Sequence, residues 1–376
     1  MRALSRVILA AAISAGAAIA ATPESIRGLM YVGTIDQKIV IVKESTGDVV
    51  GEIQLSGIPR TTARSADGLK IHVVTTKLVL DTVDLVSRKV VSSFPLAIVD
   101  GKSAPRMLRG GGSGGFSGIA VDPNGRYLYT SVQSTVKDLD QYRTDPPQFV
   151  MIDLQEKKIV KTMAFPKGYD QGFGFQASYK VSPDGKLLYV FDDDIVIFEL
   201  ATMKEIDRIP LAKPEYPGAN PYRITASDDP NEDPMVVTSV FTSSDPIVHK
   251  ETIGIASLNL ATRKVEYTPV GPSFPMIGNL MLTPDRKMGY TLMVTRASSN
   301  RETEWWAWDI AQKKVVKKAP VQPRPNFRTT ISGDGKYLYT YGSGSTLEVY
   351  DAATLQFKRV IDLKKDTTTG YITVGE

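Results

Sequence analysis

Beyond Ala20 the chain is a succession of short apolar runs, alternating or continuous, each closed by a turn signal and none with helical periodicity. The clearest unit is Val181-Ser182-Pro183-Asp184-Gly185-Lys186-Leu187-Leu188-Tyr189-Val190, which reads as strand, tight Asp-Gly turn, strand. It continues through Ile195-Val196-Ile197-Phe198-Glu199-Leu200, a polar turn at 201–204 and a last strand over 205–211. Four short strands with small turns predict an up-and-down sheet.

The unit recurs, and recurrence of a small sheet is the signature of a radial array. The first repeat has strands at 29–33, 38–42 and 49–55 and lacks the strand that should precede them. Complete repeats follow with turns at Asp67-Gly68 and Asn124-Gly125, then the 181–211 unit. A degenerate fifth spans 222–270, a sixth runs from 280 to 319, and a clean seventh from 328 to 363. One orphan strand remains at Tyr371-Ile372-Thr373-Val374. Paired with the incomplete first repeat, it predicts an all-β, seven-bladed β-propeller, the ring closed by the C-terminal strand completing the first blade. The Asp-Gly pairs at Asp67, Asp184 and Asp334 are read as type I′ turns, not as sites.

Composition adds limits. The chain has 376 residues, 42% apolar, enough for a large core. Arg2 and Arg6, an apolar 7–18 and Ala18-Ile19-Ala20 together read as a secretory signal peptide over 1–20, leaving one propeller domain over 21–376. The expected location is periplasmic or secreted, with no membrane span. Without Arg2 and Arg6 the formal charge falls from +4 to +2, which gives no electrostatic case for nucleic acid. The chain has no cysteine, which removes attached c-type haem, thiolate metal sites and cysteine nucleophiles.

The informative feature is which loops grow. In a propeller, turns joining first to second and third to fourth strands share one face, and nearly all of these are short. The insertions, at 97–117, 133–148, 166–177, 212–221, 242–252, 271–279 and 296–304, all belong to the other face, which marks it as the working surface. Within them, 109–116 is glycine-rich without a Walker or dinucleotide pattern, and Tyr169, Phe173 and Phe175 crowd one insertion. The run from Asp228 to Pro234 reads as a solvated, proline-broken acidic loop, and Asp192-Asp193-Asp194 as a tight hairpin turn in preference to a calcium site.

Catalytic constellations are scarce. His72 and His249 lie in different blades without carboxylates at metal spacing, so a structural role is expected; no catalytic or metal residue is assigned. At least one of Trp305, Trp306 and Trp308 is expected to pack between blades. Alignment of the repeats on their turns sets Arg60, Phe116, Gln176, Tyr222, Arg223, Asn279, Phe327 and Arg328 at the starts of the innermost strands, around one mouth of the central channel. Several arginines there would favour an anionic group or a partner's carboxylates.

The units Ser182-Pro183-Asp184-Gly185-Lys186-Leu187-Leu188-Tyr189-Val190 and Ser332-Gly333-Asp334-Gly335-Lys336-Tyr337-Leu338-Tyr339-Thr340 resemble the YVTN-type repeat of bacterial exported propellers. A long hairpin before Phe149-Val150-Met151-Ile152-Asp153-Leu154 and the ending Leu347-Glu348-Val349-Tyr350-Asp351-Ala352-Ala353-Thr354-Leu355 extend this. With the cysteine-free composition, they make the chain similar to the β subunit of quinohaemoprotein amine dehydrogenases. That resemblance implies a non-catalytic subunit with no cofactor of its own. It would enclose the amine site of a small partner subunit carrying cysteine tryptophylquinone, and would contact a cytochrome c subunit carrying haem c. The alternative is a stand-alone propeller, either a binding scaffold or a metal-dependent lactonase or lyase-type enzyme.

Overall fold

Every repeat must bury both faces of its middle strands, because each blade packs against a neighbour on either side. This explains the continuous apolar runs such as Leu29–Thr34 and Ile195–Glu199, while outer strands such as Lys158–Ala164 alternate between exposed and half-buried residues. In the computed structural model the described residues are 24–96, 107–108, 118–132, 134–137, 139–144, 146–169, 173, 177–211, 231–245, 247, 250–273, 276–294, 302–321, 328–342 and 344–373. No helix occurs among them. The expected signal peptide, residues 109–116, His249 and the predicted fifth inner strand lie outside them.

The fold is a seven-bladed β-propeller of antiparallel sheets. Blade 1 runs, from the inside outward, Thr367–Thr373, Leu29–Thr34, Lys38–Lys43, Val49–Gln54, so the end of the chain supplies its inner strand as the repeat pattern predicts. Blade 2 is Pro59–Arg64, Lys70–Thr75, Val79–Asp84, Lys89–Pro95. Blade 3 is Ile119–Val121, Tyr127–Val132, Gln148–Asp153, Lys158–Ala164, and blade 4 is Ser178–Val181, Leu187–Phe191, Ile195–Glu199, Lys204–Ile209. Blade 5 shows Val236–Asp245, Lys250–Asn259 and Lys264–Pro272. Blade 6 has a divided inner strand, Met276–Ile277 and Met281–Leu282, then Met288–Val294, Thr303–Asp309 and Lys314–Val321. Blade 7 is Arg328–Ile331, Tyr337–Tyr341, Thr346–Asp351, Phe357–Asp362.

The described core divides into seven clusters, one at each junction between neighbouring blades. Strand alternation creates them. Tyr31, Ile39 and Ile41 face Ile71 and Val73 of blade 2, whereas Met30, Val32, Val40 and Val42 face Tyr339, Leu347 and Val349 of blade 7. The tryptophans obey the same rule and all three are buried: Trp305 packs towards blade 7, Trp306 and Trp308 towards blade 5. Burying such a side chain contributes on the order of 2–3 kcal/mol.

Two local devices repeat. The Ser-x-Asp-Gly turns are not type I′ as expected. In Ser182-Pro183-Asp184-Gly185 the Gly185 N–H donates to Ser182 O (2.8 Å), and Gly185 alone has positive φ (+69°). Pro183 fixes a negative φ at the second position, so the turn is type I with a left-handed glycine after it. Blade 6 puts Arg286 there (φ 56°), and that arginine reaches across to Asn231 O (2.8 Å) and Asp233 (3.1 Å) of blade 5. At the other short turn, Asp84, Asp153, Asn259, Asp309 and Asp351 each accept an N–H from further round the loop, which ends in a left-handed residue such as Arg88, Lys157 or Arg263.

Tyr31, Tyr129, Tyr189, Tyr290 and Tyr339 hold one equivalent place in the second strands. Tyr31 donates to Leu85 O (3.3 Å) and Tyr189 to Leu260 O (2.5 Å), each on the turn of the next blade. At the closing junction that turn carries Glu44 where other blades have Leu85, Leu154, Leu200 or Leu260. The buried Glu44 carboxylate accepts from the Gly333 N–H (3.2 Å) and the Tyr339 hydroxyl (3.4 Å), and Arg359 donates to its backbone oxygen (2.6 Å). The junction that joins the two ends of the chain is thus marked by charge.

In blade 2 the tyrosine place is taken by His72, which is buried with Nδ1 3.0 Å from Thr82 Oγ1. Burial pushes its pKa from 6.5 down to about 4, helped by the Lys70 cation. The unfolded chain takes up this proton first. The contribution of the neutral ring is therefore complete above pH 6.5 and is lost as pH falls towards 4, in all about 3 kcal/mol. Denaturant midpoints measured against pH should fall across that window for the wild type but not for His72→Phe. Parallel curves would contradict this reading.

Candidate functional site

The inner strands stand side by side around the channel, and the closing strand Thr367–Thr373 approaches those of blades 2 and 7 to within 8 Å. Their first residues lie on the face that carries the second-to-third loops and the connections between blades. In blades 3, 4 and 7 the inner strand pairs in unbroken register with its neighbour. In blades 6, 1 and 2 it does not. Arg60 is an extra residue between the pairs Pro59↔Thr75 and Thr61↔Val74. The closing strand sets residues 368–370 against Gly33 alone, between Thr367↔Thr34 and Tyr371↔Val32. In blade 6 a bulge separates Ile277↔Met293 from Met281↔Tyr290, pinned by the Gly278 N–H on Leu292 O (2.8 Å). A Cβ at Gly278 would lie 3.2 Å from that same oxygen, which is why this bulge uses glycine.

Of the described members of the sequence-derived set, Arg60 and Asn279 lie on bulges of this irregular sector and Arg328 on the regular inner strand of blade 7. Arg60 is exposed on its bulge, and Arg328 is exposed as the first residue of the blade 7 inner strand. The two flank the start of the closing strand. Asn279 is exposed too, but it does not begin its strand as expected: the blade 6 inner strand already starts at Met276, and Asn279 sits on the bulge part-way along. The alignment on the turn placed it too early because the bulge adds a residue. Phe116, Gln176, Tyr222, Arg223 and Phe327 lie outside the described residues. Thr368 escaped the sequence reading. Its Oγ1 is buried and has no hydrogen-bond partner among the described residues. The signal was available as Arg60-Thr61-Thr62, Arg328-Thr329-Thr330 and Thr367-Thr368-Thr369, which the fold makes adjacent.

Around this mouth the insertions take definite forms. Ser134–Lys137 pairs with Tyr142–Thr144 and with Met107–Leu108, so the 97–117 and 133–148 insertions join in one small sheet above blade 3. The stretch 242–252 is not a loop: the ladder of blade 5 runs on to Asp245↔Lys250, because Val240-Phe241-Thr242 keeps strand-forming residues past the expected end. The tips of the two hairpins expose Leu139 (107%) and Ile247 (77%). In the 166–177 insertion, by contrast, Tyr169 and Phe173 turn inward onto Phe165, Tyr179 and Phe198, as core between blades 3 and 4.

At the opposite end of the channel the described part of the acidic run, 231–234, is not fully solvated as expected. Asn231 and Glu232 are buried, Glu232 pairs with Lys180 of the blade 4 inner strand, and the Asn231 amide donates to Leu282 O (2.8 Å) of blade 6. With Arg286 these contacts lace the blade 5 turn to both neighbours. Asp192–194 form the tight turn that was expected: the Asp192 N–H donates to Asp194 O (3.0 Å), and the Asp194 carboxylate takes the Leu211 N–H (3.1 Å). Among the described residues no three His, Asp or Glu side chains are grouped to hold a metal ion, and no helix is long and apolar enough to cross a membrane.

No protein-family model matches the chain, and no curated protein does. Solved structures do. A functionally unknown protein from Desulfotomaculum acetoxidans superposes with a TM-score of 0.57 at 14% identity, over 93% of this chain and 99% of that one. The dihydro-haem d1 dehydrogenase NirN, in complex with DHE, gives 0.53 at 14% identity, over 94% of this chain and 78% of its own. Hydrazine synthase of Kuenenia stuttgartiensis gives 0.50 at 17%, over 78% and 76%. At these identities the likeness shows the propeller fold.

Bulges remove ladder hydrogen bonds, so the sector should open more readily than the regular part of the ring. Hydrogen–deuterium exchange should be faster in peptides covering 59–64, 276–282 and 367–373 than over Ser178–Val181. Equal protection would show that the bulges are as firmly held as the regular strands.

Proposed function

We propose that this chain is a propeller subunit whose loop-bearing face docks a partner protein, in the manner of the β subunit of quinohaemoprotein amine dehydrogenases. The observation that carries the reading is the one-sided elaboration. Described turns on one face are short, while the other carries the added sheet above blade 3 and the long blade 5 hairpin, with Leu139 and Ile247 held out to solvent at their tips. That NirN, a dehydrogenase, uses the same fold fits a place in redox chemistry. On this reading the chain supplies shape and contacts. Cysteine tryptophylquinone and haem c reside on partner subunits in the periplasm, to which the N-terminal leader directs the chain.

A second reading, a stand-alone propeller that binds a ligand at the channel mouth, is favoured by the bulged inner strands around Arg60 and Asn279.

Native purification from the periplasm, with the mass, the visible spectrum and the co-eluting chains recorded, separates the two. The subunit reading expects a haem-absorbing complex with a small quinone-bearing chain, dispersed by Leu139→Asp with Ile247→Asp. A colourless monomer overturns it and leaves the second reading.

A further inference from the structure

The third strand of blade 6, Thr303–Asp309, carries all three tryptophans of the chain, each of them buried. Two of the indole N–H groups are paired: Trp306 donates to Glu304 (2.9 Å) and Trp308 to Thr291 Oγ1 (2.9 Å). The third is not. Trp305 is completely buried, yet its N–H has no acceptor among the described residues, and the buried Thr303 hydroxyl has no partner there either. Residues 303 and 305 stand two apart on one strand, so their side chains project from the same face, the one packed against blade 7. Their neighbours across the sheet on that face are Leu292, Val294, Ala319 and Val321, none of which has a side chain able to accept a hydrogen bond. Blade 7 is polar on the facing side. Tyr350, whose ring lies 5.9 Å from that of Trp305, donates to the Glu348 carboxylate (2.8 Å), and so does the buried Thr340 hydroxyl (3.1 Å).

We propose that the junction between blades 6 and 7 binds internal water, which accepts the Trp305 N–H and completes the Thr303 hydroxyl. An indole N–H can only donate, and leaving it or a hydroxyl buried and unpaired costs stability, so both atoms call for a partner from outside the chain. Water is the guest whose chemistry and size match. Buried polar groups without a protein partner are met by ordered water, and such a water makes about three polar contacts. The wall formed by Glu348, Thr340 and Tyr350 is polar in the way that requires. The site goes beyond the docking role, since it lies between two blades and needs no partner chain.

A high-resolution crystal structure of the full chain, paired with melting of Thr303→Val, tests it. The crystal should show ordered water within hydrogen-bond distance of the Trp305 indole nitrogen and of the Thr303 hydroxyl. Thr303→Val replaces the hydroxyl by a methyl of the same shape, so the sign of its effect is informative. A hydroxyl completed by water is lost at a cost, and the variant should melt lower by roughly 2 °C. A dry, unpaired hydroxyl is better replaced by a methyl, and the variant would then melt higher. No ordered water at the Trp305 nitrogen, or a variant that melts at or above the wild-type temperature, would overturn the proposal. The wild-type crystal decides the question even if the variant fails to fold.

Discussion

The structure depends on one pairing: Leu29–Thr34, from the start of the described chain, with Thr367–Thr373, from its end. A ring of blades has no internal seam, so each junction is as strong as its neighbours only if the last is closed too. Here closure is done within blade 1, by a strand the rest of the chain must first bring round. The Glu44 carboxylate under Gly333 and Tyr339 adds a second tie at the adjoining junction. On the loop face Lys365 is held between Asp36 (2.9 Å) and Glu52 (2.5 Å), partners that raise its pKa and fix the approach to the closing strand. Being partly exposed, this network contributes modestly to stability and more to register.

Closure also shapes the candidate site. The closing strand must fit between two inner strands already in place, and it does so with a bulge at 368–370. The inner strand of its neighbour, blade 2, bulges as well, and so does that of blade 6 beyond the regular blade 7, so Arg60, Asn279 and Thr368 occupy the positions where pairing is interrupted. The inner strands of blades 3, 4 and 7 keep regular pairing. Among the described inner strands, pairing is therefore uneven around the ring.

Much of this was legible in the sequence. Repeated turn chemistry and the Leu-Tyr-Val run after it revealed the blades, and the missing first strand revealed how the ring closes. That at least one of the three tryptophans packs between blades followed from alternation on a strand; that all three do was not foreseen. What stayed hidden has a common cause: it is set by pairing between distant strands, not by local pattern. The bulge that aims Arg60 exists only in the register of Pro59–Arg64 on Lys70–Thr75, and the bulge before Met281 moved Asn279 away from its expected place. Asn231 and Glu232 looked like a solvated loop because their partners, Lys180, Leu282 and Arg286, lie some fifty residues away on either side.

The most direct test is thermal denaturation of the intact chain beside one ending at Leu363, with a synthetic peptide covering 364–376 added back. If closure is the constraint on which the ring depends, the intact chain melts in one sharp transition. The shortened chain melts lower and more broadly, and the peptide restores the sharp transition in a concentration-dependent way. A shortened chain that melts at the same temperature and with the same sharpness would contradict this account.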